Sequence, residues 1–250
     1  MMSFVQTLSH LRRLPNKLLL QWALRGNNVE CICCGRTALS FLPAGYKKRP
    51  HAKCVYCNAL ERHRLLWHYL QTEKKIQLFS GKLLHIAPER IFYDKLYPLL
   101  SANYFPVDLE PDANKHGGQT KPMDVTKMNF SDNFFDGIIC NHVLEHIPDD
   151  RKAMQEIYRV LKPGAWALLN VPIDATRKAT YEDFKITDPQ QRLSVFGQQD
   201  HVRIYGTDYT ERLKQSGFYV HEVIYADRFV PEEIFRYGVR KEPIFECSKI

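Results

Sequence analysis

The chain has 250 residues, of which 44% are hydrophobic and 25% charged, and this composition excludes global disorder. The length is enough for one sizeable domain and a small module. No apolar run reaches the roughly 18 residues that a membrane helix needs. Residues 18–24, interrupted by Gln21, are too short for a secretory signal. We therefore expect a cytoplasmic protein without a transmembrane segment.

Positive charge is concentrated in the first third of the chain. Residues 1–75 hold 13 Lys and Arg against 3 Asp and Glu, whereas the remainder holds 22 against 25. A basic patch attracts anions such as nucleic acid, phosphorylated substrates or anionic lipid, but a solvated, salt-screened surface is an equal alternative. Residues 1–29 are expected to form a basic helical segment, and a transit peptide is a second interpretation of it.

Two short cysteine pairs follow this segment, in the patterns Cys31-x-x-Cys34 and Cys54-x-x-Cys57. Each pair brings two thiolates together from one tight turn, and two such turns complete a tetrahedral site. We predict a structural zinc ion bound by these four cysteines, with core thiols or a redox pair as the alternative. Residues 30–78 then form a zinc-ribbon-like module that ends in a linker helix over 59–71. Gly35 and Asn58, which follow the pairs, tolerate the left-handed conformation of such turns, and His51 and His63 are nearby substitute ligands.

Beyond residue 81 the pattern alternates between strands and helices. Apolar runs predict strands over 83–86, 104–107, 135–140, 165–171, 219–224 and 244–247. Between them, helices are predicted over 91–100, from Asp149 or Asp150 to Leu161, and over 207–217. Lys162, Pro163 and Gly164 are expected to stop the second of these helices. This alternation predicts an α/β domain with a mostly parallel sheet and helices on both faces.

Several motifs then resemble a known family. They are Met123-Asp-Val-Thr, the block over 128–150 with Cys140-Asn-His-Val-Leu-Glu-His-Ile-Pro, Arg159-Val-Leu-Lys-Pro-Gly, and Leu168-Leu-Asn-Val-Pro. Over residues 81–225 the chain resembles class I methyltransferases that use S-adenosylmethionine (SAM), above all those of the methyltransferase type 11 group. The resemblance implies a Rossmann-like, seven-stranded sheet, a methyltransferase domain over 79–250, and SAM as cofactor.

The resemblance also implies which residues contact SAM. Asp108, at the end of the second strand, would bind the ribose hydroxyls, and Asp124 and Val125 would flank the adenine. Asn141 and His142, at the end of the fourth strand of the family, would lie near the sulfonium or the acceptor.

The first motif departs from the family pattern. His85 stands where an acid is expected, Ala87 where the first glycine is expected, and Glu89 where a later glycine is expected. The turn resembles an Ala-Pro-Glu turn in variants of the family, some of which carry N-terminal cysteine pairs. We expect all three residues to contact SAM, with Glu89 accepting a hydrogen bond from its ammonium group in place of the missing acid.

Residues 171–207 show no clear core element, and long loops in compact domains are usually functional or disordered. In the resembled family this region covers the acceptor pocket, so the resemblance implies that the acceptor binds here. His201 is the first candidate for a catalytic base, and His142 and Tyr205 are further catalytic candidates. Glu182, His201, Arg203 and Tyr205 are candidate substrate contacts, with Arg203 suited to an anionic group. A hydrogen-bonded, packed or surface role is the alternative for each.

The resulting hypothesis is methyl transfer from SAM to an oxygen or nitrogen of an unidentified acceptor, such as a small molecule or a saccharide. One alternative is an RNA methyltransferase whose basic zinc module contacts phosphates. A second alternative is a non-catalytic binding protein with a degenerate SAM site.

Overall fold

The computed structural model describes residues 16–45, 48–112 and 118–250, and these residues form two compact units. The first unit contains the described residues up to Ile76 together with Tyr225–Glu242, and the second contains Gln77–Ile224 and Pro243–Ile250. The structure thus groups 225–242 with the cysteine-containing unit, and the predicted boundaries at residues 29 and 78 stay predictions. Within the described residues, none of the helices has the length and apolar character required to cross a lipid bilayer.

The first unit is built from two small hairpins and three helices. Its strands are β1 (Val29–Glu30), paired with β2 (Thr37–Ala38), and β3 (Leu42–Ala44), paired with β4 (Arg49–Lys53). Its helices are α1 (Asn16–Ala23), α2 (Glu61–Thr72) and α7 (Pro231–Tyr237). Helix α1 covers part of the predicted basic segment, whose first 15 residues lie outside the described residues. Helix α2 overlaps the helix predicted over 59–71, and its role as a linker stays a prediction.

Arg64 holds the first unit together from its centre. Its side chain is fully buried, and its guanidinium donates hydrogen bonds of 2.6–2.9 Å to four carbonyl oxygens, those of Ala52, Ala59, Tyr237 and Gly238. A buried cation needs such partners to offset its loss of hydration. Gly238, with φ +55°, approaches so closely that an added Cβ would lie 2.6 Å from the Phe41 ring.

The second unit contains the predicted seven-stranded sheet. Its strands are β5 (Leu83–Ile86), β6 (Tyr104–Asp108), β7 (Lys121–Pro122), β8 (Phe135–Asn141), β9 (Leu161–Asn170), β12 (Tyr219–Val223) and β13 (Ile244–Ser248). They lie in the order β12-β13-β9-β8-β5-β6-β7. Strands β5 to β9 run parallel, whereas β13 is antiparallel to both of its neighbours. The Rossmann-like fold class predicted from the sequence is therefore confirmed.

The parallel strands are almost continuously buried because helices cover the sheet. All four residues of β5 are buried, and β8 is buried except at Asp136. Strand β5 lies between β6, which follows it, and β8, which comes later in the chain. Successive strands are therefore added on one side of β5 and then on the other, which makes this place the topological switch point of the sheet. Open α/β sheets bind ligands at such a point, beyond the carboxyl ends of the strands.

Helices α3 (Arg90–Leu100), α4 (Asp150–Val160) and α6 (Tyr209–Gln215) follow the predicted segments. Of the two predicted caps of α4, Asp149 caps the helix, because its carboxylate accepts from the Lys152 amide at 3.0 Å. The predicted end of this helix is wrong: Leu161 already pairs with Phe135 as the first residue of β9. Lys162, Pro163 and Gly164 then form an irregularity within the strand, before Trp166 pairs with Gly137.

Residues 171–207 contain more regular structure than predicted. Strand β10 (Tyr181–Glu182) pairs antiparallel with β11 (Arg203–Ile204), and helix α5 (Pro189–Phe196) lies between them. Helix α5 begins at a proline, is capped by Asp188 and ends at Gly197 with φ +85°. These local signals form a helix that was not predicted, but only its Phe196 is buried, so α5 is not a core element.

Candidate functional site

The four predicted zinc ligands lie together in the first unit, with their sulfur atoms all within 4.8 Å of one another. The Sγ atoms of Cys31 and Cys57 are 3.6 Å apart, and those of Cys34 and Cys54 are 3.9 Å apart. Four sulfurs around zinc at about 2.3 Å stand about 3.8 Å from one another. The donor set and its spacing therefore fit a zinc ion, and the neighbouring Cys33 is not part of the cluster.

Tight turns hold each cysteine pair. The Gly35 amide donates to the Cys31 carbonyl oxygen at 2.7 Å, and the Asn58 amide donates to that of Cys54 at 3.0 Å. Gly35 and Asn58 have φ angles of +68° and +62°, so the predicted left-handed conformation is confirmed. This geometry is set by the chain itself and holds the four thiols close together.

The histidines near the cysteines have other contacts. The His51 ring stacks on Phe235 and its Nε2 lies 2.8 Å from the Phe235 carbonyl oxygen. His63 Nδ1 accepts a hydrogen bond from the Leu60 amide at 3.1 Å. Neither imidazole belongs to the cysteine cluster, so the substitute-ligand role predicted for them is not needed.

Part of the basic charge of the first unit is neutralised internally. Arg49 forms an ion pair with Glu61, with Nε 3.1 Å from Oε1, and Arg236 forms one with Glu30, with Nη2 2.9 Å from Oε2. Lys48 is exposed, whereas Lys47 lies outside the described residues. An RNA-binding role for this surface stays a prediction.

In the second unit, three neighbouring parallel strands end side by side. The last residue of β5, Ile86, pairs with Val107 of β6 and with Cys140 of β8. The residues that follow these three positions are Ala87, Asp108 and Asn141, so the register places them at one edge of the sheet. Asp108 is the last residue of β6, as predicted.

The turn after β5 contains a residue in the left-handed conformation, although it has no glycine. Ala87 has φ +46°, and its amide donates to the Val107 carbonyl oxygen at 2.7 Å. A left-handed conformation costs a non-glycine residue roughly 1–2 kcal/mol, and strain of this kind is concentrated at functional sites. Glu89 is the residue before α3. This turn therefore lies at the sheet edge where a ligand is expected.

His85 lies inside strand β5 and is fully buried. Its Nδ1 is 2.7 Å from the hydroxyl oxygen of Tyr104 on β6, and burial raises the pKa of Tyr104 well above its ordinary value. The imidazole thus occupies the position of the expected acid but forms a contact within the sheet. Its predicted contact with SAM stays a prediction.

Asn141 presents a buried amide at the end of β8. The Phe245 amide donates to Asn170 Oδ1 at 2.9 Å, so the Asn170 side chain must donate through Nδ2, and it does so to Asn141 Oδ1 at 2.9 Å. This chain of hydrogen bonds fixes the orientation of Asn141. Its Nδ2 is consequently a buried donor without an acceptor among the described residues, which calls for a ligand or a water molecule.

Asp124 and Val125 follow strand β7. Asp124 Oδ1 accepts hydrogen bonds from the amide and the hydroxyl of Thr126, both at 2.8 Å, and these bonds lower the pKa of Asp124. Val125 is buried in the core of the sheet. Their predicted place beside the adenine stays a prediction.

A cluster of imidazoles and one carboxylate follows Asn141. His142 has φ +54°, and its Nδ1 lies 3.3 Å from Glu145 Oε1. The ring of His201 stands perpendicular to that of His146, with centroids 4.7 Å apart. Burial lowers the pKa of His201, which favours its neutral form. The structure therefore brings the predicted residues His142 and His201 to one side chain, Glu145.

Arg203 and Tyr205 are built into the protein near this cluster. Arg203 donates to the carbonyl oxygens of Leu144, Ile147 and Pro148, at 2.7, 2.5 and 2.8 Å, and its Nε donates to Glu182 at 2.9 Å. The fully buried Tyr205 hydroxyl donates to Asp150 at 2.7 Å. Burial and the Asp150 charge raise the pKa of Tyr205 well above its ordinary value.

These contacts give Glu182, Arg203 and Tyr205 a structural task, namely holding β10 and β11 against the turn after β8. Their predicted contacts with an acceptor stay predictions. Glu145, His146 and Asn170 are not among the predicted site residues, although they lie in the motifs that carry the family resemblance. Glu145 follows His142 by three residues, a spacing that brings the two side chains together. This spacing could have indicated Glu145 from the sequence.

Comparisons with known proteins support the fold. The family model described as "Methyltransferase domain" matches residues 92–169. The S-adenosylmethionine dependent methyltransferase from Mesorhizobium loti is similar over 74% of this chain and 98% of its own, with a TM-score of 0.50 and 13% identity. The chain has the fold of SAM-dependent methyltransferases.

This fold also occurs in a protein named for another reaction. The [4+2]-cyclase SpnF is similar over 76% of this chain and 83% of its own, with a TM-score of 0.51 and 16% identity. No sequence among the curated proteins matches the chain. The similar structures therefore establish the fold, and the reaction has to be argued from the residues.

Proposed function

We propose that the chain binds SAM at the carboxyl ends of β5, β6 and β8 and transfers its methyl group to an oxygen or nitrogen of a small-molecule or saccharide acceptor. The observation that carries this proposal is the buried Asn141 Nδ2, a donor without an acceptor in the described residues at the ligand-binding edge of the sheet. Leaving such a donor unpaired costs about 1–3 kcal/mol, and a bound ligand with an acceptor atom removes this cost.

The residues at this edge supply what SAM requires. Asp108 is partly exposed at the end of β6 and would accept hydrogen bonds from the ribose hydroxyls. Glu89, at the start of α3, would accept from the ammonium group in place of the acid that the family carries earlier in the turn. Bound SAM supplies a methyl group on a positively charged sulfur, which leaves as a neutral thioether and needs no acid.

The chain must therefore mainly align the acceptor with this methyl group and remove its proton. The cluster of His142, Glu145, His146 and His201 begins immediately after Asn141, so its groups are the candidates for this task. We further propose that Cys31, Cys34, Cys54 and Cys57 bind a structural zinc ion, since protein fills all four positions of a tetrahedral site.

Transfer of an isotope-labelled methyl group tests the proposal. The zinc-loaded chain is incubated with labelled SAM and with separate pools of small metabolites, saccharides and RNA. Label in the first two pools is the expected result, with the Asp108→Asn variant as a control that transfers far less. Label confined to RNA would favour the alternative acceptor. SAM binding without transfer to any pool would contradict the enzymatic function.

A further inference from the structure

Two buried polar atoms in the cluster after β8 have no hydrogen-bond partner among the described residues. They are Glu145 Oε2 and His201 Nε2. Only 1% of Glu145 and 5% of His201 is exposed. Buried polar atoms without a hydrogen-bond partner are rare, because each lowers the stability of the folded state. Two such atoms in one cluster indicate a binding site for a polar ligand, a water molecule or an ion.

Their arrangement has the form of a metal site. Glu145, His146 and His201 each offer one ligand atom, and the three atoms lie within 4.8 Å of one another. Metal bonds to imidazole nitrogen and carboxylate oxygen are about 2.0–2.2 Å long, so neighbouring ligands of a tetrahedral ion stand about 3.4 Å apart. Side-chain shifts that shorten the ligand–ligand distances by up to roughly 1.4 Å would therefore close the three atoms around an ion.

The neighbouring contacts orient these ligands. His146 Nδ1 lies 3.3 Å from Asp200 Oδ2, and His142 Nδ1 lies 3.3 Å from Glu145 Oε1. Histidines that bind metals usually hold their second nitrogen against a carboxylate or a carbonyl group. The pairing with Asp200 leaves Nε2 of His146 for an ion, and the pairing with His142 leaves Oε2 of Glu145.

The buried Arg203 explains how a residue so distant in sequence reaches the cluster. It donates to the carbonyl oxygens of Leu144 and Ile147, on either side of Glu145 and His146. The Val202 amide donates to the Glu145 carbonyl oxygen at 3.0 Å. These bonds fix the segment that carries His201 against the turn after β8, so Arg203 is a positioning residue for the cluster.

We propose that Glu145, His146 and His201 bind a divalent first-row transition-metal ion, such as Mn²⁺, Fe²⁺, Co²⁺ or Zn²⁺. Two imidazoles and one carboxylate suit these ions and leave coordination positions open. The site differs from the cysteine cluster in donor type and lies in the other unit. An oxygen of the methyl acceptor is the ligand that we assign to an open position, and this assignment rests on the proposed function.

The ion would favour an oxygen acceptor. A bound hydroxyl loses its proton to solvent more readily because the cation stabilises the alkoxide. The alkoxide oxygen then forms the O–CH₃ bond while the S–CH₃ bond breaks, and the electron pair of that bond stays on sulfur. His201 acts as a metal ligand in this scheme instead of the predicted base.

Manganese binding to the full chain tests the site without any acceptor. The cysteine cluster is first loaded with zinc, and free Mn²⁺ is then measured by electron paramagnetic resonance during a titration. Mn²⁺ is the probe because carboxylate-containing sites accept it, whereas thiolate sites prefer zinc. We expect about one Mn²⁺ per chain, and an affinity at least about tenfold weaker in Glu145→Gln and His201→Ala.

His221→Ala is the matched control, because His221 is an exposed histidine of β12 outside the cluster, and it should bind Mn²⁺ like the wild type. If His201→Ala fails to fold, Glu145→Gln still tests the site, because glutamine keeps the shape of the glutamate side chain. The proposal would be overturned if the wild-type chain bound no Mn²⁺, Co²⁺ or additional Zn²⁺, or if both cluster variants bound Mn²⁺ as tightly as the wild type.

SAM binding, measured on the same sample, separates the two proposals. SAM binding without Mn²⁺ binding would overturn the metal site alone, whereas Mn²⁺ binding without SAM binding would overturn the proposed function alone.

Discussion

Asp150 and Arg212 form a two-point ion pair, in which Nη2 of Arg212 lies 2.8 Å from Oδ1 of Asp150 and Nε of Arg212 lies 3.2 Å from Oδ2. Only 3% of the Asp150 side chain and 12% of the Arg212 side chain are exposed. Asp150 also accepts the Tyr205 hydroxyl and lies 3.8 Å from Arg203. One carboxylate at the start of α4 thus joins this helix to α6 and to the segment that carries His201.

We expect Asp150→Ala to lower the free energy of unfolding by about 3–5 kcal/mol, because it leaves buried cations without their partner. Chemical denaturation measures the change. Asp94→Ala is the matched control, since it removes the exposed ion pair with Arg90 on α3 and should cost less than about 1 kcal/mol. Equal small losses in the two variants would show that the buried network contributes little.

The sheet could be predicted from the sequence because its central strands are short and mostly apolar, with only single polar residues such as His85 in β5 and Asp136 in β8. Strand β7 could not, since it consists of the two exposed residues Lys121 and Pro122 and is defined only by its pairing with β6. The start of β9 was missed for a related reason. Leu161 continues the apolar face of α4, and only its pairing with Phe135 makes it a strand residue.

The residues of the candidate site that lie at strand ends could be predicted from the sequence, whereas the contact between Glu145 and His201 could not. Asp108, Asn141 and His142 follow apolar runs, so their common edge follows from the parallel sheet. Glu145 and His201 are far apart in sequence, and their contact depends on Arg203. A buried arginine that binds backbone carbonyl groups produces no recognisable pattern in one sequence. For this reason the sequence suggests an anionic ligand for Arg203 instead of its contacts with the backbone.

The zinc hypothesis predicts about one zinc ion per chain after purification without chelators, measured by elemental analysis. Cys31→Ser and Cys54→Ser should lose the metal and most of the stability of the first unit, because structural zinc contributes directly to folding. Cys33→Ser is the matched control and should keep the zinc, since Cys33 is buried outside the cluster. Well-folded wild-type protein without zinc would refute the site.

Asp108→Ala should weaken SAM binding about tenfold or more, because charge-assisted hydrogen bonds to the ribose contribute roughly 1.5–3 kcal/mol. Isothermal titration calorimetry measures the affinity. Glu110→Gln removes a carboxylate two residues further along the chain and should leave it unchanged. Unchanged affinity in a folded Asp108→Ala protein would show that the ribose binds elsewhere.

Glu89→Gln distinguishes a ligand contact from a local effect on α3. If Glu89 accepts from the SAM ammonium group, the variant loses most of its SAM affinity. If it only interacts with the helix dipole, the variant changes stability by about 0.3–1 kcal/mol and keeps its affinity. Asp94→Asn, which removes the exposed pair with Arg90 on the same helix, is the control for general effects on α3. A SAM-bound structure with Glu89 directed into solvent would contradict the contact.

Calorimetric titration of the zinc-loaded wild-type chain with SAM and with its demethylated product tests the central claim most directly. The account predicts about one binding site per chain for each ligand, with a dissociation constant in the micromolar range, about −8 kcal/mol. Both ligands should compete for this site, since the ribose and adenine contacts are common to them. Folded protein that binds neither ligand at roughly 1 mM, an affinity weaker than about −4 kcal/mol, would contradict it.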